Sequence, residues 1–447
     1  MSQDSDKHEL KIGICGLGTV GGGTFNLLRS KHAELTRRVG MNLNITHVAT
    51  RNPADSLKNS GVKVSTDVFA VANDPDVDLV VELIGGFEPA LELVLKAIEN
   101  GKHVVTANKA LIAVHGNEIF AAARKKGVVV AYESAVAGGI PIIKALREGL
   151  AANSIQWLAG IINGTSNYIL TEMGENNRDF PDVLKEAQAK GYAEADPTFD
   201  IEGIDAAHKL AILAANAFGT GLDFDRVYTE GISHITTSDI AYAEELGYRI
   251  KHLGISRITE QGIELRVHPT LISDQTLIAN VNGVMNAVVV KGDSSGSTLY
   301  YGAGAGAEAT ASSVVADVID IARSNRESCQ QALIPPLAFD KLQGEMRILD
   351  IDEIESGYYL RIPAKDEVGV MAGISQVLTD YGINIEAVIQ KEPGYDESEP
   401  HIVPVVILTA PTVEKNMNVA IKAIEEMSEV AGKVTRIRVE HFDGENE

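Results

Sequence analysis

KIGICGLGTVGGGTFNLLRSKHAEL, residues 11–35, decides the fold. A short apolar run ends at Cys15, a glycine turn follows, and apolar residues then recur at helical spacing. Gly16, Gly18 and Gly21 stand in G-x-G-x-x-G spacing at the junction. Such a turn lets backbone amides approach a pyrophosphate, which rests on the positive end of the following helix. Alone, the pattern is also that of a glycine-rich turn that binds nothing; between a strand and a helix it predicts a dinucleotide loop formed by Gly16, Leu17, Gly18, Thr19, Val20 and Gly21.

Outward from this stretch the same alternation continues. NITHVATRN (44–52), LVVELIGG (79–86), HVVTANK (103–109) and VVVAYESAVAG (128–138) read as β-branched strands, separated by helical segments such as PALELVLKAIENG (89–101) and GNEIFAAARKKG (116–127). Strand and helix in alternation predict a Rossmann-like, doubly wound parallel sheet over residues 1–140. An NAD site carries an acid at the end of the second strand to hold the ribose hydroxyls. Here Arg51 stands in its place, and an arginine pairs with a 2′-phosphate, so NADP is expected, with NAD possible.

From Pro141 the alternation stops. Helical stretches at 140–150, 180–191 and 204–218 mix with strands at 154–164, 263–272 and 286–292, which predicts an α+β domain over 141–323. Its last part, YYGAGAGAEATASSVVADVIDIARS (300–324), is a second glycine cluster whose helix, over 306–323, is expected to return to the first domain. Residues 324–356 read as a connector with a Pro335-Pro336 step. Residues 357–447 run strand, helix, strand, strand, helix, strand, the split ferredoxin-like order.

Composition narrows the partners. With 447 residues, 45% hydrophobic and 23% charged, the chain is long enough for several globular domains. Its formal charge of −23 repels phosphate backbones and anionic lipid, so neither nucleic acid nor a membrane surface is expected as a partner. The opening MSQDSDKHEL lacks the pattern of a secretory signal, and no run approaches the roughly 18 apolar residues of a membrane span. Cys15 and Cys329 lie outside any metal-ligand spacing. A cytoplasmic protein with two inert thiols is the expectation.

Chemistry gathers at two places. Lys109, in TANKALIA, follows a strand at the sheet edge where doubly wound folds bind ligands. It either holds a substrate carboxylate or donates a proton, or else faces water at a helix start; the pattern does not choose. In EADPTFDIEGIDAAHK (194–209), Glu194, Asp196, Asp200, Glu202 and Asp205 precede Lys209, and an apolar helix body follows. Asp205 and Lys209 are four apart on a helix and so share a face. Exposed, such a pair is worth about 0.3–0.5 kcal/mol and signifies nothing. At the edge of a core, the acids orient the lysine and grip a substrate ammonium.

These residues resemble homoserine dehydrogenases. The family's signature is met by Ala187, Gly191, Asp196, Pro197, Asp200, Gly203, Asp205 and Lys209, and the likeness extends through GLGTVGGG, TANKALIA, AYESAVAGGIPII, INGTSNYIL and YGAGAGAEAT. The resemblance implies reversible, NAD(P)-dependent reduction of L-aspartate 4-semialdehyde to L-homoserine, a step toward threonine, methionine and isoleucine. It casts Lys209 as proton donor and Asp205 as its orienting group and a substrate contact. Glu194 and Asp200 fall to the substrate, Lys109 to cofactor and substrate, and Gly191 and Gly306 to the nicotinamide nucleotide. It also implies a monovalent cation, sodium, on Glu133 and the carbonyls of Val136, Gly138 and Ile140.

The C-terminal segment resembles an ACT domain through DEVGVMAGIS (366–375) and YGINIEAV (381–388), with Glu367 and Val368 in place of the usual small residue and proline. Feedback control is implied, threonine being the expected effector, with a purely structural dimerisation module as the alternative; a homodimer or homotetramer without an aspartokinase fusion is expected. Three rivals differ in what they require. An aldehyde-oxidising enzyme needs a cysteine at the nicotinamide, whereas Cys15 lies in the first strand and Cys329 in the connector. Another ACT-bearing hydroxy-acid dehydrogenase would not carry the 187–209 signature. An inactive NADP-binding amino-acid sensor would not consume NADPH.

Overall fold

Six apolar runs near the start of the chain form one parallel sheet. β1 (Glu9–Cys15), β2 (Asn42–Ala49), β3 (Lys63–Ser65), β4 (Leu79–Glu82), β5 (His103–Thr106) and β6 (Val130–Ala131) lie in the order β3-β2-β1-β4-β5-β6. Every pairing is parallel. All four residues of β4 are buried, as a strand covered on both faces requires. The order reverses between β1 and β4, and ligands of open α/β sheets bind outside the carboxyl ends of strands at such a point. The computed structural model describes residues 9–53, 57, 61–324, 334–344, 346–391 and 402–442.

This sheet belongs to a compact unit made of Met1–Gly164, Asp205–Val227 and Val284–Met346. Its core joins Leu10, Ile12 and Ile14 of β1 to Val314, Val318 and Ile321 of the Ala307–Ser324 helix. That helix also packs on the Thr19–Ser30 helix, where a Cβ at Gly23 would come within 2.6 Å of the Ala307 carbonyl oxygen. Three antiparallel strands, Ile155–Ile161, Met285–Gly292 and Gly296–Ala303, complete the unit's sheet structure, with the second in the middle. The run VVVAYESAVAG is strand only at Val130–Ala131. Glu133–Ala135 turns as a short 3-10 helix, because β6 is an edge and the chain leaves it for the next helix.

The Ile204–Phe218 helix is buried from Asp205 to its end. A helix apolar around its whole circumference is a core helix, and its two charged residues, Asp205 and Lys209, must then find partners.

The other unit comprises Thr165–Ile204, Tyr228–Gly283 and Arg347–Glu447. A long hairpin, Tyr248–Ile258 with Ile263–Ser273, is extended by the parallel strand Thr435–Glu440. Beyond it come Glu355–Lys365, Ile402–Val413 and Ile385–Gln390, so the four C-terminal strands take the spatial order fourth, first, third, second. The Val370–Asp380 and Glu414–Glu425 helices cover one face through Ile374, Leu378, Met417 and Ile424. This is the split ferredoxin-like topology. Two fully buried arginines fasten its last strand: Arg438 meets Glu414 and Glu230 at 2.5 and 2.8 Å, and Arg266 of the hairpin meets Glu440 at 2.6 Å. No helix among the described residues is long and apolar enough to cross a membrane. Cys15 is buried, and burial pushes its thiol far up, so it is inert; Cys329 lies outside the described residues.

Candidate active site

The glycine turn lies at the carboxyl end of β1 and is shaped by close contacts. Gly16 has φ +94°, and a Cβ there would meet the Leu83 carbonyl oxygen at 2.6 Å. At Gly21 a Cβ would lie 1.9 Å from the Gly16 carbonyl oxygen, so only glycine lets the helix start this close to the turn. A Cβ at Gly18 would meet nothing within 4 Å, which leaves that side of the loop open to a ligand. The turn borders a groove of about 720 Å³ that is also lined by Thr50, Arg51, Asn52, Ile84 and Gly85. Arg51 is exposed at its wall. Glu82 fixes the opposite lip, one carboxylate oxygen accepting the Ile84 and Gly85 amides at 2.8 and 3.1 Å and the other the Thr106 hydroxyl at 2.5 Å. A narrow glycine-floored groove at a helix start, with an exposed cation at the second strand, fits a dinucleotide.

The Lys109–Lys126 helix follows β5, its first turn capped by the Asn108 side chain on the Leu111 amide. That start carries Lys109 to the Asp205 carboxylate. Lys109 Nζ lies 2.7 Å from Asp205 Oδ1, and Lys209 Nζ lies 2.7 Å from Oδ2. Lys209 also donates to the Ile162 carbonyl at 2.7 Å, and Asn163 Nδ2 donates to Asp205 Oδ2 at 2.8 Å. Asp205 is 2% exposed. Burial by itself raises a carboxyl, but the charges of Lys209 and Lys109 and their hydrogen bonds outweigh it and hold Asp205 well below the usual carboxylate range. One anion therefore serves two cations. His208, stacked on Phe224 at a centroid distance of 4.1 Å, is kept neutral; burial, with the Lys109 and Lys209 charges, pushes it down to about 4 against the pull of Asp205.

The remaining acids of the loop fall in the other unit. Glu194 is exposed and Asp200 half-buried, the latter within the short Thr198–Ile201 helix with its carbonyl accepting the Ser166 hydroxyl at 3.0 Å. Gly191, at φ +74°, turns the chain after the Phe180–Ala189 helix in the same unit. Gly306 lies in the first unit at φ +121° and its carbonyl accepts the Thr310 amide, opening the Ala307–Ser324 helix.

A third cluster surrounds Glu133, which is 2% exposed. Its two oxygens accept the Ile143 and Lys144 amides at 2.9 and 2.8 Å, and burial together with Asp317 pushes its carboxyl up to about 7. Val136, Gly138 and Ile140 are buried beside it in sequence. The Ile140 carbonyl accepts the Ile142 amide, but no hydrogen bond among the described residues reaches the carbonyls of Val136 and Gly138. Buried carbonyls without donors, next to a costly buried carboxylate, fit a small hard cation.

Nothing in the sequence pattern singles out Asn163, His208 or the Ile162 carbonyl. INGTSNYIL was visible as a motif, but its contact with a helix some forty residues later had no local signal.

A glycine-floored nucleotide groove and a lysine–carboxylate–lysine center in one unit define an oxidoreductase that acts on a CH–OH group. The chain belongs to the homoserine dehydrogenase family: the family's catalytic profile matches residues 141–319 and its NAD-binding profile residues 16–133, with an ACT domain at 358–426. It is 61% identical to homoserine dehydrogenase of Pseudomonas aeruginosa, over 97% of this chain and 99% of the relative, and 56% identical to that of Neisseria gonorrhoeae over 96% and 98%. Among solved structures, the homoserine dehydrogenase of Thiobacillus denitrificans matches at TM-score 0.90 and 58% identity, covering 97% and 98%. That of S. aureus matches at TM-score 0.75 and 29% identity, covering 97% and 99%.

Proposed function

We propose that the protein interconverts L-aspartate 4-semialdehyde and L-homoserine with NADP(H), in the route to threonine, methionine and isoleucine. The observation that carries the reading is the single buried carboxylate, Asp205, shared by the ammonium groups of Lys109 and Lys209. Bound nicotinamide supplies or takes the hydride. Lys209 gives its proton to the substrate oxygen as that oxygen becomes an alkoxide, and takes it back in the reverse direction. Asp205 keeps that ammonium charged and aimed, and Lys109 adds a second positive charge where negative charge develops. Glu194 and Asp200 bind the substrate ammonium.

Gly16, Leu17, Gly18, Thr19, Val20 and Gly21 would hold the pyrophosphate, Arg51 the 2′-phosphate, and Gly191 and Gly306 would serve the nicotinamide nucleotide. Glu133 and the carbonyls of Val136, Gly138 and Ile140 would hold a sodium ion, whose charge would offset that of the carboxylate. The ACT domain takes an amino-acid effector, threonine in this reading, within a homodimer or homotetramer. The domain division that accompanies this reading is 1–140, 141–323, a connector, and 357–447. Adding L-aspartate 4-semialdehyde to protein and NADPH should consume NADPH and yield homoserine; unchanged NADPH absorbance would contradict the reading.

A further inference from the structure

Two consecutive residues hold the two halves of the Asp205–Lys209 pair. As the chain leaves the Ile155–Ile161 strand, the Ile162 carbonyl accepts from Lys209 at 2.7 Å, and the Asn163 amide donates to Asp205 Oδ2 at 2.8 Å. The Ile162–Asn163 segment thus presents a backbone carbonyl to the ammonium and a side-chain amide N–H to the carboxylate. Its position is fixed from the next residue, because a Cβ at Gly164 would lie 2.7 Å from the Val284 carbonyl oxygen. Asn163 is itself buried, 5% exposed.

The carboxylate needs such a support. Rotation about the last bond of an aspartate is soft, with a broad, roughly two-fold profile, so two lysines alone leave its plane poorly fixed. A further donor beside Lys209 on Oδ2 settles the plane and with it the division of oxygens, one for Lys109 and one for Lys209. The donor must also be neutral. Lys109, Lys209 and Asp205 together carry one net positive charge, and the neighbouring His208 ring is neutral, so the cluster meets a developing alkoxide with positive charge. A carboxylate at position 163 would cancel it.

We infer that Asn163 is a positioning residue for the reaction: its amide fixes the plane of the Asp205 carboxylate and so aims the Lys209 ammonium. The inference rests on the reading of Lys209 as proton donor. Three variants test it alongside Lys209→Ala, with thermal melts confirming the fold. Asn163→Leu removes the donor at similar size and should lower kcat about ten- to a hundredfold while nucleotide KM stays close to the parent's. Asn163→Ser keeps a hydroxyl donor and should lose less.

Asn163→Asp adds negative charge beside Lys209, which must shed its proton before homoserine is oxidised. The pH at which oxidation reaches half its maximum should therefore rise by about one unit, which a merely structural substitution would not do. A parent-like kcat in Asn163→Leu, or an unshifted profile in Asn163→Asp, overturns the inference. If Asn163→Asp does not fold, the comparison of Leu with Ser decides: equal losses overturn it. Normal turnover in Lys209→Ala removes the proton-donor reading and this inference with it, whereas an inactive Lys209→Ala beside an unaffected Asn163→Leu removes this inference alone.

Discussion

Lys109 and Lys209 share Asp205, each ammonium 2.7 Å from a different oxygen of one carboxylate that is almost sealed from solvent. Removing the carboxylate's charge leaves two cations facing each other, one of them, Lys209, nearly buried. Asp205→Asn should lower turnover at least a hundredfold and stability by about 3 kcal/mol, since breaking a buried pair costs more than the pair contributes. Denaturant titration and steady-state rates check both.

The same carboxylate sets an acid limit. Its folded-state affinity for protons is lowered, so the stability it contributes is fully present above the unfolded aspartate value near 4 and is lost as pH falls below that toward the folded value. Unfolding free energy followed from pH 6 downward should drop more steeply below pH 4 in the parent than in Asp205→Asn.

His208 acts over a higher window. Pushed down to about 4 from an ordinary 6.5, it must bind a proton on unfolding in acid, so its contribution is present above pH 6.5 and declines as pH falls to 4. The shift corresponds to about 3 kcal/mol at most. His208→Phe should flatten stability between pH 6.5 and 4; an unchanged slope would mean that the ring is already charged in the native state.

The glycine turn separates packing from binding. Gly21→Ala brings a methyl against the Gly16 carbonyl and should lower the melting temperature and abolish nucleotide binding. Gly18→Ala meets no protein atom and should melt like the parent while binding nucleotide more weakly. Fluorescence titration with NADPH and thermal melts distinguish the two. Arg51→Ala should weaken NADPH more than NADH, and equal losses would contradict the 2′-phosphate assignment.

Much of this was legible in the sequence where the signal is local. Periodicity and the turn at Gly16–Gly21 gave the parallel sheet, and the strand and helix order after residue 357 gave the ferredoxin-like topology. Asp205 and Lys209 were paired because helical spacing is itself geometry. The sequence leaves Lys109 between two readings, since its meeting with Asp205 depends on a helix start and a core helix far apart in the chain. Asn163 and Ile162 were unassigned for the same reason. The run from Val128 read as one strand, but Glu133–Ala135 turns inward, and nothing in its β-branched composition reports that β6 ends at Ala131.

The central claim is that the Lys209 ammonium, held by Asp205, protonates the substrate oxygen. It is tested most directly by the steady-state reduction of L-aspartate 4-semialdehyde with NADPH by Lys209→Ala. The account predicts kcat lowered roughly a hundred- to ten-thousandfold with NADPH KM little changed. Turnover close to the parent's would contradict it.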